Sequence, residues 1–254
     1  MRKRGKELLI LVLLLLPALV TVLPLFLLLT GSLMDVQEIR ERLMPVFTGE
    51  GSFSFTVIPD YPTFLNYEKL LLETPQFFVL FWNSMRMTGA VLAGQLLVAV
   101  PAAFGFAVYK GKGSRLLFSL YTVLMLIPFQ VTMLSSYLVL TRLHLMNTQW
   151  AVILPAVFSA FPVFLCYGGF SAIPQAMLEA ARIDGAGEAG LFLRIGLPLG
   201  RGGICSALIL GFLECFNLIE QPMAFLDDKS LWPLSLYLPQ ISLNQAATAF
   251  CGSV

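Results

Sequence analysis

Long uncharged runs alternate with charged stretches along the chain, and the runs are long enough to cross a membrane as helices. The first run, residues 8–30, holds 23 uncharged residues, and about 20 apolar residues suffice to span a bilayer. The pattern predicts five complete spans and an incomplete sixth, at about 8–30, 80–109, 116–141, 149–170, 203–226 and from about 240. The predicted fold class is therefore all-α, a polytopic membrane protein in which residues 1–254 form a single transmembrane domain.

Two stretches between these runs are polar and longer than a simple turn. Residues 31–78 hold seven acidic and three basic residues, and they include a short predicted helix that begins after Thr63 and ends before Pro75. The second stretch, residues 171–202, we call the charged segment. Its apolar residues recur at helical spacing on both sides of Gly185, which predicts two short helices that meet at this glycine and end at Pro198.

Composition indicates the solvent that surrounds these helices, and the placement of basic residues indicates their orientation in the membrane. Only 12% of the residues are charged, whereas a soluble domain has about 25%, so the solvent is predicted to be a bilayer. The net charge of +1 gives no indication of a nucleic-acid partner. Ten lysines and arginines lie in the amino terminus, the 110–115 turn and the charged segment, against five in the alternate connections. The charged segment and the amino terminus are therefore predicted to be cytoplasmic, and residues 31–78 extracytoplasmic.

The charged segment is too polar to cross the membrane and too apolar to be a free loop, and two interpretations fit its pattern. In the first, an amphipathic hairpin lies in the headgroup layer with its apolar stripe in lipid. In the second, the hairpin docks on a protein partner, with small residues that permit close approach and with acidic side chains that supply charge. These small and acidic residues are Ala180, Ala181, Gly185, Glu179 and Asp184. Helical periodicity does not distinguish the two interpretations.

The residue order within the charged segment resembles a known family signature. The segment reads Glu179-Ala180-Ala181, three residues, Gly185, nine residues, Ile195, one residue, Leu197-Pro198. This order resembles the EAA signature of ABC importer permeases. Residues 61–71, 83–91, 127–134 and 143–155 are similar to the carbohydrate branch of that family, and specifically to the smaller, maltose-type permease subunit. The resemblance implies a type I ABC importer transmembrane domain with a six-helix plan, so a chain that stops at Val254 is expected to end within the last helix.

The resemblance also implies a function and partners. It implies a permease subunit of an ATP-driven, binding-protein-dependent importer for a sugar or oligosaccharide, in a bacterial or archaeal plasma (inner) membrane. The expected partners are two ATP-binding subunits, a second paralogous permease, an extracytoplasmic solute-binding protein and membrane lipid. The permease itself is expected to be non-catalytic and to hold no cofactor or metal, because ATP and Mg²⁺ bind to the partner ATPase. The residues implied to contact that ATPase are Glu179, Ala180, Ala181, Asp184 and Gly185.

Polar side chains inside the predicted spans are candidates for the solute pathway, because each is costly in lipid unless it faces protein or a cavity. The wider set is Asn83, Gln95, Gln130, Ser135, Ser136, Tyr137, Glu214, Asn217 and Glu220. A sugar requires hydrogen-bonding groups and aromatic faces, so Gln130, Tyr137 and Asn217 are the tentative pathway residues. The alternative for the whole set is hydrogen bonding between helices.

Two other classes of protein compete with an ATP-driven permease. An ion-gradient-driven secondary transporter of a small polar solute favours inverted repeats and paired charges at the midplane. The chain has no internal repeat, and its strongest charged cluster is predicted to be cytoplasmic. An intramembrane enzyme is disfavoured because neither H-E-x-x-H nor G-x-S-x-G occurs in the sequence.

Overall fold

The computed structural model describes residues 2–39, 41, 59–238 and 251–253, and the regular elements among them are helices. The main helices are α1 (Arg2–Ser32), α2 (Leu65–Glu68), α3 (Pro75–Val108), α4 (Lys112–Met125), α5 (Phe129–Arg142), α6 (Trp150–Val157), α7 (Phe161–Ser171), α8 (Gln175–Ile183), α9 (Glu188–Phe216), α10 (Glu220–Phe225) and α11 (Leu234–Tyr237). The contacts divide the chain into two units, Met1–Val79 with Tyr237–Val254, and Leu80–Leu236. The predicted all-α fold class is confirmed.

In the first unit, hydrogen bonds fix the end of α1 to the neighbourhood of α2. The Tyr67 hydroxyl donates to Ser32 Oγ at 2.7 Å. Thr63 lies at the start of the short helix, as predicted, where its Oγ1 accepts a hydrogen bond from the Leu65 amide at 3.2 Å. The helix continues as a π turn over Lys69–Glu73, and Thr74 separates it from the proline that begins α3.

In the second unit, the largest hydrophobic core lies where the second half of α3 meets α7 and the charged segment. Its buried members include Ala103, Phe104, Phe170, Leu178 and Leu191. The rings of Phe104 and Phe170 pack edge to face, with centroids 5.5 Å apart and an interplanar angle of 82°. The charged segment is thus part of the folded unit and rests on the end of α3.

Helices α7 and α9 cross at glycines that leave no space for a side chain. A Cβ placed on Gly203 would lie 3.0 Å from Cα of Gly169, and a Cβ placed on Gly169 would lie 2.9 Å from Cα of Gly203. Small residues let helix backbones approach closely in membranes, where helix association depends on van der Waals packing. Because α7 leads into the charged segment and α9 leads out of it, this crossing holds the two ends of the segment together.

The third predicted span, about 116–141, is not one continuous helix. Helices α4 and α5 are bent by 100° at a break over residues 126–128. Pro128 has no amide hydrogen to donate, and a proline disfavours the helical conformation of the residue before it, here Ile127. The sequence pattern alone did not reveal this break, because α1 and α3 contain Pro17, Pro24 and Pro101 without ending there.

Pro198 does not end the second helix of the charged segment, contrary to the prediction. The helix runs through it as α9, with a π turn over Leu191–Gly196 directly before the proline. In a regular α-helix the proline ring would clash with the carbonyl four residues earlier. The wider π turn relieves this clash, since it changes the hydrogen-bonding register just before the proline.

The remaining spans also differ in detail from their predicted ranges. Helices long and apolar enough to cross a membrane occur over Leu13–Ser32, Pro75–Val108, Trp150–Ser171 and Glu188–Phe216. The fifth predicted span, about 203–226, is interrupted over residues 217–219, between α9 and α10. The predicted incomplete sixth span, from about 240, falls outside the described residues except for residues 251–253, which are helical.

Candidate functional site

The apolar stripe of the charged segment is buried in the protein's own core. Leu178 of α8 is 1% exposed, and Leu191 near the start of α9 is fully buried. Phe192 and Ile195 pack against the same cluster, and the Phe192 ring centroid lies 5.2 Å from that of Phe104. The predicted stripe therefore exists, but its main side chains are occupied by protein. The buried side chains of this stripe are therefore not available to lipid.

The opposite face of α8 is exposed and combines charged, small and apolar side chains. Glu179, Ala180 and Asp184 are exposed, and Ile183 next to the turn is 86% exposed. Ala181 packs against the core instead. The tip of the hairpin therefore presents one apolar side chain beside small and acidic residues.

The turn between α8 and α9 requires glycine, and side-chain contacts with Glu188 hold it in place. Gly185 has φ = +84°, a left-handed conformation that other residues adopt at a cost. Across the turn, Arg182 Nε lies 3.3 Å from Glu188 Oε1, and the Tyr109 hydroxyl donates to Glu188 Oε2 at 2.5 Å. The bond to the Glu188 carboxylate raises the pKa of Tyr109. Exposed ion pairs contribute little to stability, so this cluster orients the hairpin on the end of α3 more than it stabilises the fold.

A second feature, which we call the polar cavity, lies where three helix breaks of the second unit meet. Its volume is about 620 Å³. Ile127 lines it from the break before α5, Ser159 and Ala160 from the break before α7, and Leu218 from the break after α9. Its polar lining residues are Gln95, Thr132, Ser136, Ser159, Glu214 and Gln221. Discontinuous helices around a cavity are typical of solute sites in transporters, because the broken turns expose backbone groups.

The three predicted pathway residues are not among the described residues that line the polar cavity. Gln130 Nε2 donates to Glu220 Oε1 at 2.7 Å, and Asn217 Nδ2 donates to the Leu213 carbonyl at 2.8 Å. Tyr137 is 44% exposed on α5. The role of these three side chains in solute passage stays a prediction.

Part of the wider set of polar candidates does line the polar cavity. These residues are Gln95, Ser136 and Glu214. The sequence analysis did not single out the other polar lining residues, Thr132, Ser159 and Gln221. Ser159 comes three positions before Pro162, and Gln221 comes directly before Pro222. Both prolines lie in the first turn of a helix, where proline is favoured, so a polar residue shortly before such a proline is a usable signal of a helix start with a hydrogen-bonding group beside it.

Two buried side-chain amides make the hydrogen bonds between helices that the alternative interpretation describes. Asn83 is 5% exposed; its Nδ2 donates to the Ser230 carbonyl at 2.7 Å and its Oδ1 accepts from Gln149 Nε2 at 3.0 Å. Gln95 Nε2 donates to the Ala156 carbonyl at 3.0 Å. Buried polar groups are expected to be paired in this way, so Asn83 has a structural role.

The chain has helices of membrane-spanning length, a fixed hairpin with an exposed tip and a polar cavity at helix breaks. Together these features define a polytopic membrane transport protein. Residues 95–226, which include the charged segment and most of the cavity lining, match the family described as binding-protein-dependent transport system inner membrane component. Protein LplC of Bacillus subtilis (strain 168) is 30% identical over 233 residues, which cover 92% of this chain and 74% of LplC. The chain belongs to this family, and it is a membrane-spanning permease subunit of an ATP-driven, binding-protein-dependent importer.

Two further similarities agree with this assignment. The arabinooligosaccharides transport system permease protein AraQ of Bacillus subtilis (strain 168) is 29% identical over 218 residues, or 86% of this chain and 74% of AraQ. The fold matches the crystal structure of a bacterial ABC transporter involved in the import of the acidic polysaccharide alginate, with a TM-score of 0.82, 18% identity and coverage of 100% of this chain and 92% of that chain. The relatives agree with the binding-protein-dependent importer and give no support to the ion-gradient-driven alternative, and the structural match shows the fold.

Proposed function

We propose that the charged segment couples this permease to a cytoplasmic ATPase, and that the exposed face of α8 is the docking surface. The observation that supports this most is the two-sided character of α8. Leu178 is fixed in the core, whereas Ala180 and Ile183 are exposed. A force applied to the exposed face therefore reaches α7 and α9, since the inner face of α8 packs in the same core as those helices. Glu179 and Asp184 supply charge to the contact, and Gly185 shapes its tip.

Other subunits bind and hydrolyse ATP. Two ATP-binding subunits hold ATP and Mg²⁺, a second paralogous permease completes the membrane part, and an extracytoplasmic solute-binding protein delivers the solute. The permease is non-catalytic and needs no cofactor of its own. This arrangement requires the amino terminus and the charged segment to face the cytoplasm of a bacterial or archaeal inner membrane, which agrees with the distribution of lysine and arginine.

For the solute, we propose a carbohydrate that passes through the polar cavity. Its volume of about 620 Å³ is within the roughly 300–1,000 Å³ of small-molecule sites. It offers hydroxyl and amide groups together with the rings of Phe129 and Phe161, which suit the hydroxyls and the apolar faces of a sugar. AraQ is named for arabinooligosaccharides, and the structurally similar transporter is involved in the import of acidic alginate. The fold alone therefore does not decide whether the saccharide is neutral or acidic.

Substitution of Gly185 tests whether the shape of the turn matters for coupling. Gly185→Val forces a β-branched residue to φ = +84°, at a cost of about 1–2 kcal/mol, and is expected to reduce severalfold the amount of ATP-binding subunit that co-purifies with tagged permease. Gly185→Asn should retain more of the subunit, because asparagine tolerates the left-handed conformation.

Gly187→Val is the matched control for this experiment. Gly187 has φ = −71° and no heavy atom within 4 Å of an added Cβ, so valine is tolerated there. If Gly185→Val and Gly187→Val retain the ATP-binding subunit equally, the left-handed turn is not needed for docking and this part of the proposal fails.

A further inference from the structure

The polar cavity contains one full charge among its described walls, and it is negative. Glu214 is the only charged residue among the described residues that line the cavity. It lies on the last turn of α9, where the helix ends at Phe216, and its side chain is exposed. A solute that enters the cavity therefore meets a carboxylate and no lysine or arginine among its described walls.

The Glu214 carboxylate is unpaired among the described residues, unlike those of Glu188 and Glu220. Within the described parts of the chain, no hydrogen bond or ion pair reaches it. By contrast, Glu220 accepts a hydrogen bond from Gln130, and Glu188 contacts both Arg182 and Tyr109. The negative charge of Glu214 is therefore not cancelled by a partner within the described chain and acts on whatever occupies the cavity.

Helix ends around the cavity do not reverse this sign. The amino-terminal ends of α5, α7 and α10 contribute positive partial charge through the residues Phe129, Phe161 and Gln221, which line the cavity. The carboxy-terminal ends of α4, α6 and α9 contribute negative partial charge at the same cavity. Each helix end is equivalent to about half an elementary charge, so three negative ends and three positive ends roughly balance, and Glu214 sets the sign of the cavity.

The other polar groups of the cavity suit an uncharged ligand. Gln221 Oε1 is buried and has no hydrogen-bond partner among the described residues. The hydroxyls of Thr132 and Ser136 also line the cavity. A buried amide oxygen without a partner is costly unless a ligand or water donates to it, and sugar hydroxyls are suitable donors.

We propose that Glu214 makes the polar cavity a charge filter, which admits neutral carbohydrates and excludes phosphorylated and uronic-acid carbohydrates. This inference rests on the proposed function, because it assumes that the solute passes through this cavity. It adds a selectivity that the fold does not determine, and it assigns that selectivity to one residue.

The filter can be tested without knowing the solute, by comparing charged thiol reagents. A reporter cysteine is introduced as Ser136→Cys in a protein that also carries Cys205→Ser and Cys215→Ser, while Cys166 and Cys251 are retained because they are buried. The reaction rates of a cationic trimethylammonium and an anionic sulfonate methanethiosulfonate are measured on the detergent-solubilised importer at low salt. Their ratio cancels differences in thiol reactivity and reports the local potential. Glu214→Gln is expected to lower the cation-to-anion ratio on the order of fivefold, for unit charges about 8 Å from the carboxylate in water.

Two controls make the result specific to the cavity. Asp227→Asn removes an exposed carboxylate that is not among the described residues lining the cavity, and it should leave the ratio nearly unchanged. A second reporter, Ser171→Cys, lies outside the described cavity lining and should not respond to Glu214→Gln.

The decisive comparison is between the reporter protein with Glu214 intact and the same protein with Glu214→Gln. If the two ratios are equal, or if the anionic reagent is favoured in both, the charge filter is overturned. This readout needs neither ATP nor transport. Its failure therefore leaves the coupling proposal intact, and a failure of ATPase docking leaves the filter intact.

Discussion

Gly203→Ala is expected to destabilise the permease by about 1–3 kcal/mol, the range typical of overpacking. The added methyl would lie 3.0 Å from Cα and N of Gly169 and 3.0 Å from the Leu165 carbonyl oxygen. All three are backbone atoms, so no side chain can rotate away and the α7–α9 crossing itself has to open. The free energy of unfolding, measured by titration with SDS in mixed micelles, reports the effect directly. Because this crossing holds both ends of the charged segment, assembly with the ATPase is expected to fall as well.

Gly202→Ala is the matched control for Gly203→Ala. Gly202 lies one position earlier on α9 and has no heavy atom within 4 Å of an added Cβ. Alanine stabilises a helix interior by up to about 1 kcal/mol relative to glycine, so Gly202→Ala should be neutral or stabilising. Two adjacent glycine-to-alanine substitutions are therefore expected to change the stability in opposite directions. Equal effects would show that the close approach of α7 and α9 does not contribute to stability.

Ala180→Phe is expected to abolish most of the coupling while the fold is retained. Ala180 is exposed on α8, and exposed substitutions usually change the free energy of unfolding by less than about 0.5 kcal/mol. In a close contact with an ATPase, the same ring would overpack the interface at a cost of about 1–3 kcal/mol, which raises the dissociation constant of the contact by about 5- to 140-fold. The measurement is the ATP hydrolysis rate of the reconstituted importer with and without its solute-binding protein, where the stimulated part should be lost.

The matched control for Ala180→Phe is Ala172→Phe. Ala172 is also exposed, but it lies three residues before α8 begins and outside the EAA order. The variant should retain both its stability and the stimulated hydrolysis. Stimulated hydrolysis that survives Ala180→Phe unchanged would place the ATPase contact elsewhere on the permease.

Much of the fold followed from hydropathy, because a membrane-crossing helix must be long and apolar and leaves a strong signal. The interruptions did not follow. Pro101 lies inside α3 and Pro198 inside α9, whereas the helix before Pro128 ends. Whether a proline breaks a membrane helix depends on a compensating distortion, such as the π turn before Pro198, and on the neighbouring helices. Neither is visible in the local pattern.

The two helices and the turn of the charged segment were predictable from the sequence, but the side of each helix that is buried was less so. Helical spacing predicted an apolar stripe on each helix of this segment, yet of the neighbours Met177 and Leu178 only Leu178 is buried, and Met177 is 45% exposed. Neighbours in sequence are about 100° apart on a helix, so a narrow buried stripe includes only one of the two. The residue order placed Gly185 at the turn, and its left-handed φ agrees with the reason that glycine is used there.

The polar cavity was the feature that the sequence described least well. Its walls come from helices far apart in sequence, for example Gln95 on α3 and Gln221 on α10. Polarity inside a span identifies candidates, but it does not show whether a side chain faces a cavity, a neighbouring helix or its own backbone. Asn217 illustrates the last case, since it donates to a carbonyl of its own helix. Only the packing of the helices separates these outcomes.

The central claim is that the exposed tip of the charged segment contacts an ATP-binding subunit, and photo-crosslinking from residue 183 tests it most directly. Ile183 is 86% exposed, so a photoreactive benzoylphenylalanine can replace it without disturbing the core, and Leu193 on α9, 58% exposed, serves as the comparison site. Irradiation in membranes is followed by identification of the adducts by mass spectrometry. The account predicts an adduct between residue 183 and the ATP-binding subunit, and none with that subunit from residue 193. Adducts from residue 183 with lipid alone would contradict it.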